Sequence, residues 1–168
     1  VIAKELFLNG YLVKIWCPFP LKKTLTINYV NYLTSIGVKK LLEAPNPDAK
    51  NLWIDAIFGN NQKRKVDEEL IELFNKKLDR KSGKVVSIDV PTGLCPNSGK
   101  PFLRNAVKAN HTLVVGLNKI GLLQDNALPY VGELHHIDIG ISRNQLNKLE
   151  SQIFKMTYQD LKTNNLPL

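Results

Sequence analysis

Apolar residues follow two spacings along this chain, one typical of buried strands and the other typical of amphipathic helices. Continuous apolar runs predict strands at 11–17, 52–58, 85–89, 111–115 and 132–139, with a short strand near 40–42. Apolar residues three or four positions apart predict helices at 1–8, 24–36 and 66–78. Because strands alternate with helices, the pattern predicts an α/β domain with a mostly parallel sheet and helices on both of its faces.

The strand predicted at 85–89 ends at an acidic residue that is followed by a turn. Its apolar run stops at Asp89, and the turn-forming sequence Pro-Thr-Gly comes directly after Val90. Ligands bind outside the carboxyl ends of the strands in an open α/β sheet. Asp89 and Thr92 are therefore candidates for a site that uses a carboxylate and a hydroxyl. The alternative is that Asp89 only caps the next element or forms an Asx-turn.

A second aspartate stands inside the apolar run at 52–58. A buried carboxylate without a partner is costly, so we expect Asp55 to have a cation, a cluster of donors or a neighbouring hydroxyl beside it. Two strands of one sheet then bring Asp55 and Asp89 to the same end, which indicates an oxygen-rich site. Two isolated capping residues are the alternative.

The composition is that of a globular domain. The chain has 168 residues, 43% of them hydrophobic and 23% charged, which suits one domain with its own core. It contains no apolar run of membrane-spanning length. Cys17 and Cys95 are too few for a disulfide framework and lack the spacing of a metal site, so we expect a protein of the reducing cytoplasm.

Basic residues outnumber acidic ones and concentrate in the first half of the chain. The net charge is +8, and 15 of the 23 lysines and arginines precede position 85. Such a face can contact nucleic acid or a phosphorylated metabolite, but no aromatic interleaving or RNA-binding signature accompanies it. We interpret most of these lysines as a solvated face. Lys63, Arg64 and Lys65 follow a candidate active strand and are predicted to contact a phosphate.

The three histidines predict no metal site. His135 and His136 are neighbours on one predicted strand and so face opposite sides of it, which excludes them as a pair of ligands. His111 opens another strand and is expected to make only a hydrogen bond.

Several short motifs occur together in the order that one known family shows. They are IDAIFG at 54–59, SIDVPTGL at 87–94, AVKANHT at 106–112, NKIGLL at 118–123, GEL at 132–134 and DIGI at 138–141. In this series the chain resembles YjeF N-terminal domains, the NAD(P)H-hydrate epimerases, over roughly residues 1–142. The resemblance implies a three-layer αβα, Rossmann-like fold.

The resemblance also implies an enzyme that interconverts the S and R epimers of NADHX and NADPHX, which are nicotinamide cofactors hydrated at C6 of the ring. It implies that Asp55 and Thr92 hold a potassium ion, together with an asparagine of an upstream Asn-Asn-Gly-Gly-Asp motif. It further implies that Asp89 contacts the hydrated ring as the catalytic residue, where a carboxylate can shuttle a proton. The loop expected to wrap the substrate's phosphates comprises Gly59, Asn60, Asn61, Gln62, Lys63, Arg64 and Lys65.

Two departures from the family pattern change what is expected. The upstream Asn-Asn-Gly-Gly-Asp motif is absent, so we expect residues 1–150 to be an epimerase domain that lacks its N-terminal part and one ligand of its potassium site. Asn61 stands where family members usually carry a second glycine. Because asparagine tolerates the left-handed region, we expect that Gly59-Asn60-Asn61 can still reach positive φ.

Two questions stay open, namely what residues 151–168 belong to and whether the domain is an enzyme or a binding scaffold. Residues 151–168 are either a polar linker or the entry into an ADP-dependent NAD(P)H-hydrate dehydratase domain, as in bifunctional members of the family. We expect NADHX or NADPHX as substrate, a homo-oligomer, and neither a membrane nor a nucleic acid as partner. The rival interpretation, which the basic first half motivates, is a non-catalytic YjeF-type scaffold that binds RNA or protein. The enzyme is favoured by the presence of Asp55, Asp89 and Thr92, because a pure scaffold has no reason to keep three oxygen ligands that converge on one pocket.

Overall fold

The chain folds into strands that alternate with helices, as its hydrophobic pattern predicts. A computed structural model describes residues 1–62, 65–80, 83–146 and 148, so the segment 151–168 lies outside the described residues. The helices are α1 (Ile2–Leu8), α2 (Thr24–Ser35), α3 (Glu68–Leu78), α4 (Leu128–Val131) and α5 (Arg143–Leu146), and two 3₁₀ turns span Ile120–Leu123 and Asp125–Ala127. The strands are β1 (Lys14–Trp16), β2 (Lys39–Leu41), β3 (Leu52–Asp55), β4 (Lys84–Ile88), β5 (His111–Val115) and β6 (Glu133–Ile137). No helix in these ranges is long and apolar enough to cross a membrane.

Every pairing between these described strands is parallel, which confirms the predicted kind of sheet. Strands β1 and β2 form a two-stranded sheet, and a four-stranded sheet has the order β3-β4-β5-β6. Helix α3 connects β3 to β4, whereas turns connect β4 to β5, and the 3₁₀ turns with α4 connect β5 to β6. All four strands therefore point their carboxyl ends toward the same edge of the larger sheet.

One face of the four-stranded sheet carries buried side chains. These positions alternate along β3, β4 and β5 and share a face through the parallel register; they are Trp53, Asp55, Val85, Ser87, Thr112 and Val114. Helix α3 packs Leu70 and Phe74 on this side, and the Phe74 ring meets Trp53 edge to face with 5.2 Å between centroids. The carboxylate of Asp55 thus shares a face with the apolar core.

Lys77 departs from the expectation of a solvated basic face. It lies on the core side of α3, three residues after Phe74, and it is fully buried. Its Nζ donates to the carbonyl of Ala49 and lies 5.7 Å from the centre of the Trp53 ring. Burial lowers the pKa of Lys77. One lysine of the basic first half is therefore a structural group of the core.

Several element boundaries also differ from the predictions; strand β1, for example, begins at Lys14 and not at residue 11. Strand β3 ends at Asp55 and does not continue to 58, because Oδ1 of Asp55 accepts the Ile57 N–H at 3.4 Å, as in an Asx-turn. Helix α3 begins at Glu68 and not at residue 66, because Asp67 occupies the N-cap position. On α2, the apolar residues whose spacing predicts the helix include Ile27 and Tyr32, and both are exposed.

Candidate functional site

The carboxyl edge of the four-stranded sheet brings the candidate residues together. Asp55 ends β3 and is the register partner of Ser87 on β4, and Asp89 follows β4 directly. Thr92 lies three residues beyond Asp89 and is fully buried. The two aspartates and Thr92 therefore lie at one end of neighbouring strands, where the sequence pattern predicts them.

Asp55 is a fully buried carboxylate that four donors surround. Its Oδ2 accepts the Thr92 N–H at 2.8 Å and the Ser87 hydroxyl at 3.0 Å. Its Oδ1 accepts the Thr92 hydroxyl at 2.6 Å and the Ile57 N–H at 3.4 Å. Burial raises the pKa of Asp55, and the hydrogen bonds from Thr92 and Ser87 oppose that rise. The predicted donor cluster and neighbouring hydroxyl are confirmed.

The surroundings of Asp55 suit a hard cation. Every donor to this carboxylate in the described part of the chain is an uncharged group, so neutral dipoles alone offset its negative charge. Thr92 Oγ1 lies 2.6 Å from Asp55 Oδ1 and keeps lone pairs available, so the two oxygens can share one ion. Carboxylate and hydroxyl oxygens are ligands of hard cations, so the chemistry of Asp55 and Thr92 is compatible with such an ion.

Asp89 adopts a backbone conformation that few non-glycine residues take. Its φ is +71°, and no other non-glycine residue in the described ranges has positive φ. Aspartate tolerates the left-handed region better than most residues, and the Asp89 N–H donates to the Leu113 carbonyl at 2.8 Å, which fixes the turn. Such conformations persist only where the surroundings impose them, and they concentrate at functional sites.

Two groups from different loops hold the Asp89 carboxylate. Oδ2 accepts the Asn60 N–H at 2.9 Å, and Oδ1 forms an ion pair with Nζ of Lys119. Lys119 also donates to the Val115 carbonyl at 2.7 Å, which anchors the ammonium group. The Asp89 side chain is 17% exposed and that of Lys119 is 13% exposed. A carboxylate fixed through both oxygens and still open to solvent can exchange a proton with a ligand in a defined direction.

A cavity of about 450 Å³ opens beside the Asp89–Lys119 pair. Its lining combines five polar side chains with three apolar ones, namely Asn60, Asp89, Asn97, Asn118, Lys119, Val115, Leu117 and Ile120. Its volume lies within the range of small-molecule sites, and its mostly polar lining suits a polar ligand. Asp55 and Thr92 are not among these lining residues, so the buried carboxylate forms a separate part of the site.

Sequence reasoning missed Lys119 and Asn118 as site residues. Both lie in the segment NKIGLL, which follows β5 after the turn at Gly116. The signal that would have found them is the one that selected Asp89, because the carboxyl end of β5 lies at the same edge as the end of β4. Asn97 lies in the long connection between β4 and β5, and no comparable signal marks it.

The first residues of the predicted phosphate loop pack against Asp89. A Cβ atom on Gly59 would lie only 3.0 Å from Asp89 Oδ2, so glycine leaves room for the carboxylate. The expectation that Asn60 and Asn61 reach positive φ is wrong, because neither residue does so. Asn60 instead directs its backbone N–H at Asp89 from an ordinary turn.

Two further residues of the predicted phosphate loop, Gln62 and Lys65, lie in the core and at the surface, respectively. Gln62 is buried, its Oε1 accepts the Gly93 N–H at 3.1 Å, and its Nε2 has no hydrogen-bond partner among the described residues. Lys65 is exposed. Lys63 and Arg64, predicted to contact a phosphate, lie outside the described residues. Gln62 therefore links this loop to the turn after β4, which gives it a clear structural role.

Comparison of the sequence with known families and proteins gives a consistent result. A family model described as YjeF-related protein N-terminus matches residues 1–121. The bifunctional NAD(P)H-hydrate repair enzyme Nnr of Gloeobacter violaceus is 33% identical over 150 residues, which cover 89% of this chain and 29% of that protein. The NAD(P)H-hydrate epimerase of Lentilactobacillus buchneri is 36% identical over 90 residues, which cover 54% of this chain and 41% of that protein. The chain thus spans less than half the length of these relatives.

Comparison with solved structures gives the same fold. The crystal structure of the yeast protein YNL200c superposes with a TM-score of 0.70 over 95% of this chain and 68% of the yeast chain. The two sequences are 21% identical, so the likeness concerns the fold alone. It confirms the Rossmann-like α/β fold that the sequence predicts.

Proposed function

This chain belongs to the family of YjeF-related protein N-termini, and on that premise we propose that it interconverts the S and R epimers of NADHX and NADPHX. Relatives named for NAD(P)H-hydrate repair and NAD(P)H-hydrate epimerisation support the proposal. One observation on this chain carries it. Asp89, in a strained conformation and fixed by Lys119 and Asn60, borders a cavity of the size that small-molecule ligands need.

Epimerisation at C6 of the hydrated ring requires that one bond to that carbon break and re-form on the other face. The carbon carries a hydroxyl oxygen and the ring nitrogen. When a base takes the hydroxyl proton, the oxygen becomes a carbonyl and the C6–N bond breaks with its electron pair on the nitrogen, which then adds to the other face of the carbonyl. The proton that is taken is returned after inversion, so no atom is gained or lost overall. We assign this transfer to the Asp89 carboxylate, which acts as general base and then as general acid.

We assign to other residues that line the cavity the role of orienting Asp89 and the nicotinamide ring. The Lys119 ammonium supplies a counter-charge to the carboxylate, and the Asn60 N–H directs its second oxygen. Asn97 and Asn118 can hydrogen-bond polar groups of the nucleotide, while the apolar part of the lining can pack on the ring. We also assign the phosphate contacts to the loop from Gly59 onward, with the basic residues 63–65 supplying charge-assisted hydrogen bonds.

Asp55 and Thr92 are the residues that would hold potassium. The proposal rests on their adjacent oxygens and on the uncharged donors around the buried carboxylate. When bound, the ion supplies a positive charge that offsets the Asp55 carboxylate. Thr92 ends the turn that begins at Asp89, and it donates two hydrogen bonds to the Asp55 carboxylate. Binding of an ion at Asp55 would therefore affect the position of Asp89.

Epimerisation alone restores no usable cofactor, because both epimers remain hydrated. The relative from Gloeobacter violaceus is named bifunctional. We therefore propose that the S epimer supplied by this chain is consumed by an ADP-dependent dehydratase. The expected observation is that the chain speeds complete recovery of NADH from a mixture of epimers when such a dehydratase is present, and has no effect on recovery from pure S epimer.

The activity itself is tested with pure R epimer of NADHX. A dehydratase that accepts only the S epimer reports each inversion as recovered NADH absorbance, so the slope measures the epimerase. We expect the slope to rise in proportion to the concentration of the chain. A slope that stays at the spontaneous rate at all concentrations of the chain contradicts the proposal and favours the RNA- or protein-binding scaffold.

A further inference from the structure

A second cluster of ionisable side chains lies away from the Asp89 cavity. His111 is the first residue of β5, Glu133 is the first residue of β6, and His135 follows Glu133 by two positions. The register pairs His111 with Glu133 and Leu113 with His135. Because alternate residues of a strand share a face, the three ionisable side chains project from one face of the sheet. They lie toward the amino ends of the strands, at the edge opposite Asp89.

The ligand atoms of this cluster have the mutual spacing of a zinc site. His111 Nδ1 lies 2.9 Å from His135 Nε2 and 3.4 Å from Glu133 Oε2, and the third side of the triangle, from His135 Nε2 to Glu133 Oε2, is 3.6 Å. Bonds of about 2.0 to 2.1 Å at tetrahedral angles separate the ligands of zinc by about 3.3 to 3.4 Å. The three observed distances bracket that value.

We propose that His111, Glu133 and His135 bind one zinc ion through these three atoms. Two imidazole nitrogens and one carboxylate oxygen form a ligand set that zinc prefers, whereas magnesium prefers six oxygen ligands. The side chains of His111 and His135 are each 40% exposed and that of Glu133 is 68% exposed, so water can supply the fourth ligand. The ion links β6 to β5 at the end of the strand order.

The same contacts also describe a simpler arrangement without metal. One imidazole nitrogen can donate to the other at 2.9 Å, which is the hydrogen bond expected for His111, with Glu133 as an acceptor nearby. The two possibilities differ in which residues they require. A hydrogen bond between the rings needs only the two histidines, whereas the zinc site needs the carboxylate as well.

The chain contains a matched control for the test. His136 is adjacent to His135 on β6, but its register partner is Val114, so its side chain projects from the other face. Its Nε2 interacts with the Gly116 carbonyl. His136→Gln removes the same chemical group as His135→Gln from the same strand and leaves the cluster intact.

Zinc affinity of the full-length protein is measured by competition with a chromogenic zinc indicator. We expect one zinc per chain at micromolar free zinc for the wild type and for His136→Gln. His135→Gln and Glu133→Gln should each weaken binding by about tenfold or more, since a zinc site loses at least that much when a ligand is removed. Zinc at a hundredfold excess over its Kd should raise Tm by roughly 5 to 10 °C, and only where the cluster is intact.

Three results would overturn the zinc site. The first is a wild-type protein that binds no stoichiometric zinc at micromolar free concentration. The second is a Glu133→Gln variant that binds zinc as tightly as the wild type, because the carboxylate is then not a ligand. The third is an equal loss of affinity in His136→Gln and His135→Gln. The measurement is independent of the proposed epimerase, because it needs no nucleotide substrate.

Discussion

Replacing Asp55 by alanine should destabilise the fold, even though it removes a buried charge. The carboxylate accepts four hydrogen bonds, and a buried donor left without an acceptor costs about 1 to 3 kcal/mol. The hydroxyls of Ser87 and Thr92 can rotate toward other acceptors, but the Thr92 N–H, now bonded at 2.8 Å, cannot. After allowing for relief of the buried charge, we expect a loss of about 2 to 4 kcal/mol in the free energy of unfolding.

The assay is urea unfolding at neutral pH in potassium buffer and in tetramethylammonium buffer. Asp55→Asn is the matched variant, because its amide keeps one acceptor oxygen and should lose about half as much stability as Asp55→Ala. Potassium should stabilise the wild type and have no effect on either variant. An Asp55→Ala protein as stable as the wild type in both buffers would refute the reasoning, since burial of the charge would then outweigh its hydrogen bonds.

The raised pKa of Asp55 also sets a pH dependence. In tetramethylammonium buffer the folded chain keeps the Asp55 proton to higher pH than the unfolded chain. The free energy of unfolding should therefore fall as pH rises from about 4 to the folded pKa of this group, and then level off. Asp55→Asn should lack this fall. Potassium should reduce it, because a bound cation favours the ionised carboxylate.

Three further predictions concern other parts of the molecule. Gly59→Ala places a Cβ 3.0 Å from Asp89 Oδ2, so kcat for epimerisation should fall by roughly tenfold or more while the unfolding midpoint hardly changes. Lys77→Met should hardly change the free energy of unfolding at pH 7. The wild-type free energy of unfolding should rise with pH between the lowered pKa of Lys77 and about 10.4, and urea unfolding at several pH values should show no such rise in Lys77→Met. Alanine at all of 63–65 should weaken NAD(P)HX binding by a few-fold to tenfold per contact, whereas strong RNA affinity that the triple variant abolishes in salt titrations would support the scaffold instead.

The fold was largely predictable because its signals are local. The apolar runs and the turns that end them predicted every strand of the larger sheet to within three residues, and β5 is the predicted 111–115. Asp55 and Asp89 could be placed at one edge because parallel strands share their carboxyl ends. The motif series added the family, which the family model confirms.

The parts that sequence reasoning missed depend on contacts between distant segments. Lys119 reaches Asp89 across 30 positions, and no local pattern shows which basic residue pairs with which carboxylate. Lysine is usually a surface residue, and only the fold shows that Lys77 lies against Trp53. The His111–Glu133–His135 cluster needs the register between β5 and β6, which the spacing of the histidines along the chain does not reveal.

The central claim is that the Asp89 carboxylate carries the proton during epimerisation, and one comparison tests it most directly. Single-turnover conversion of R-NADHX is measured for the wild type, for Asp89→Asn and for Asp79→Asn, whose exposed aspartate lies at the end of α3. We predict a rate at least about a hundredfold lower in Asp89→Asn, with the same unfolding midpoint as the wild type, and no change in Asp79→Asn. A wild-type rate in folded Asp89→Asn would contradict the account.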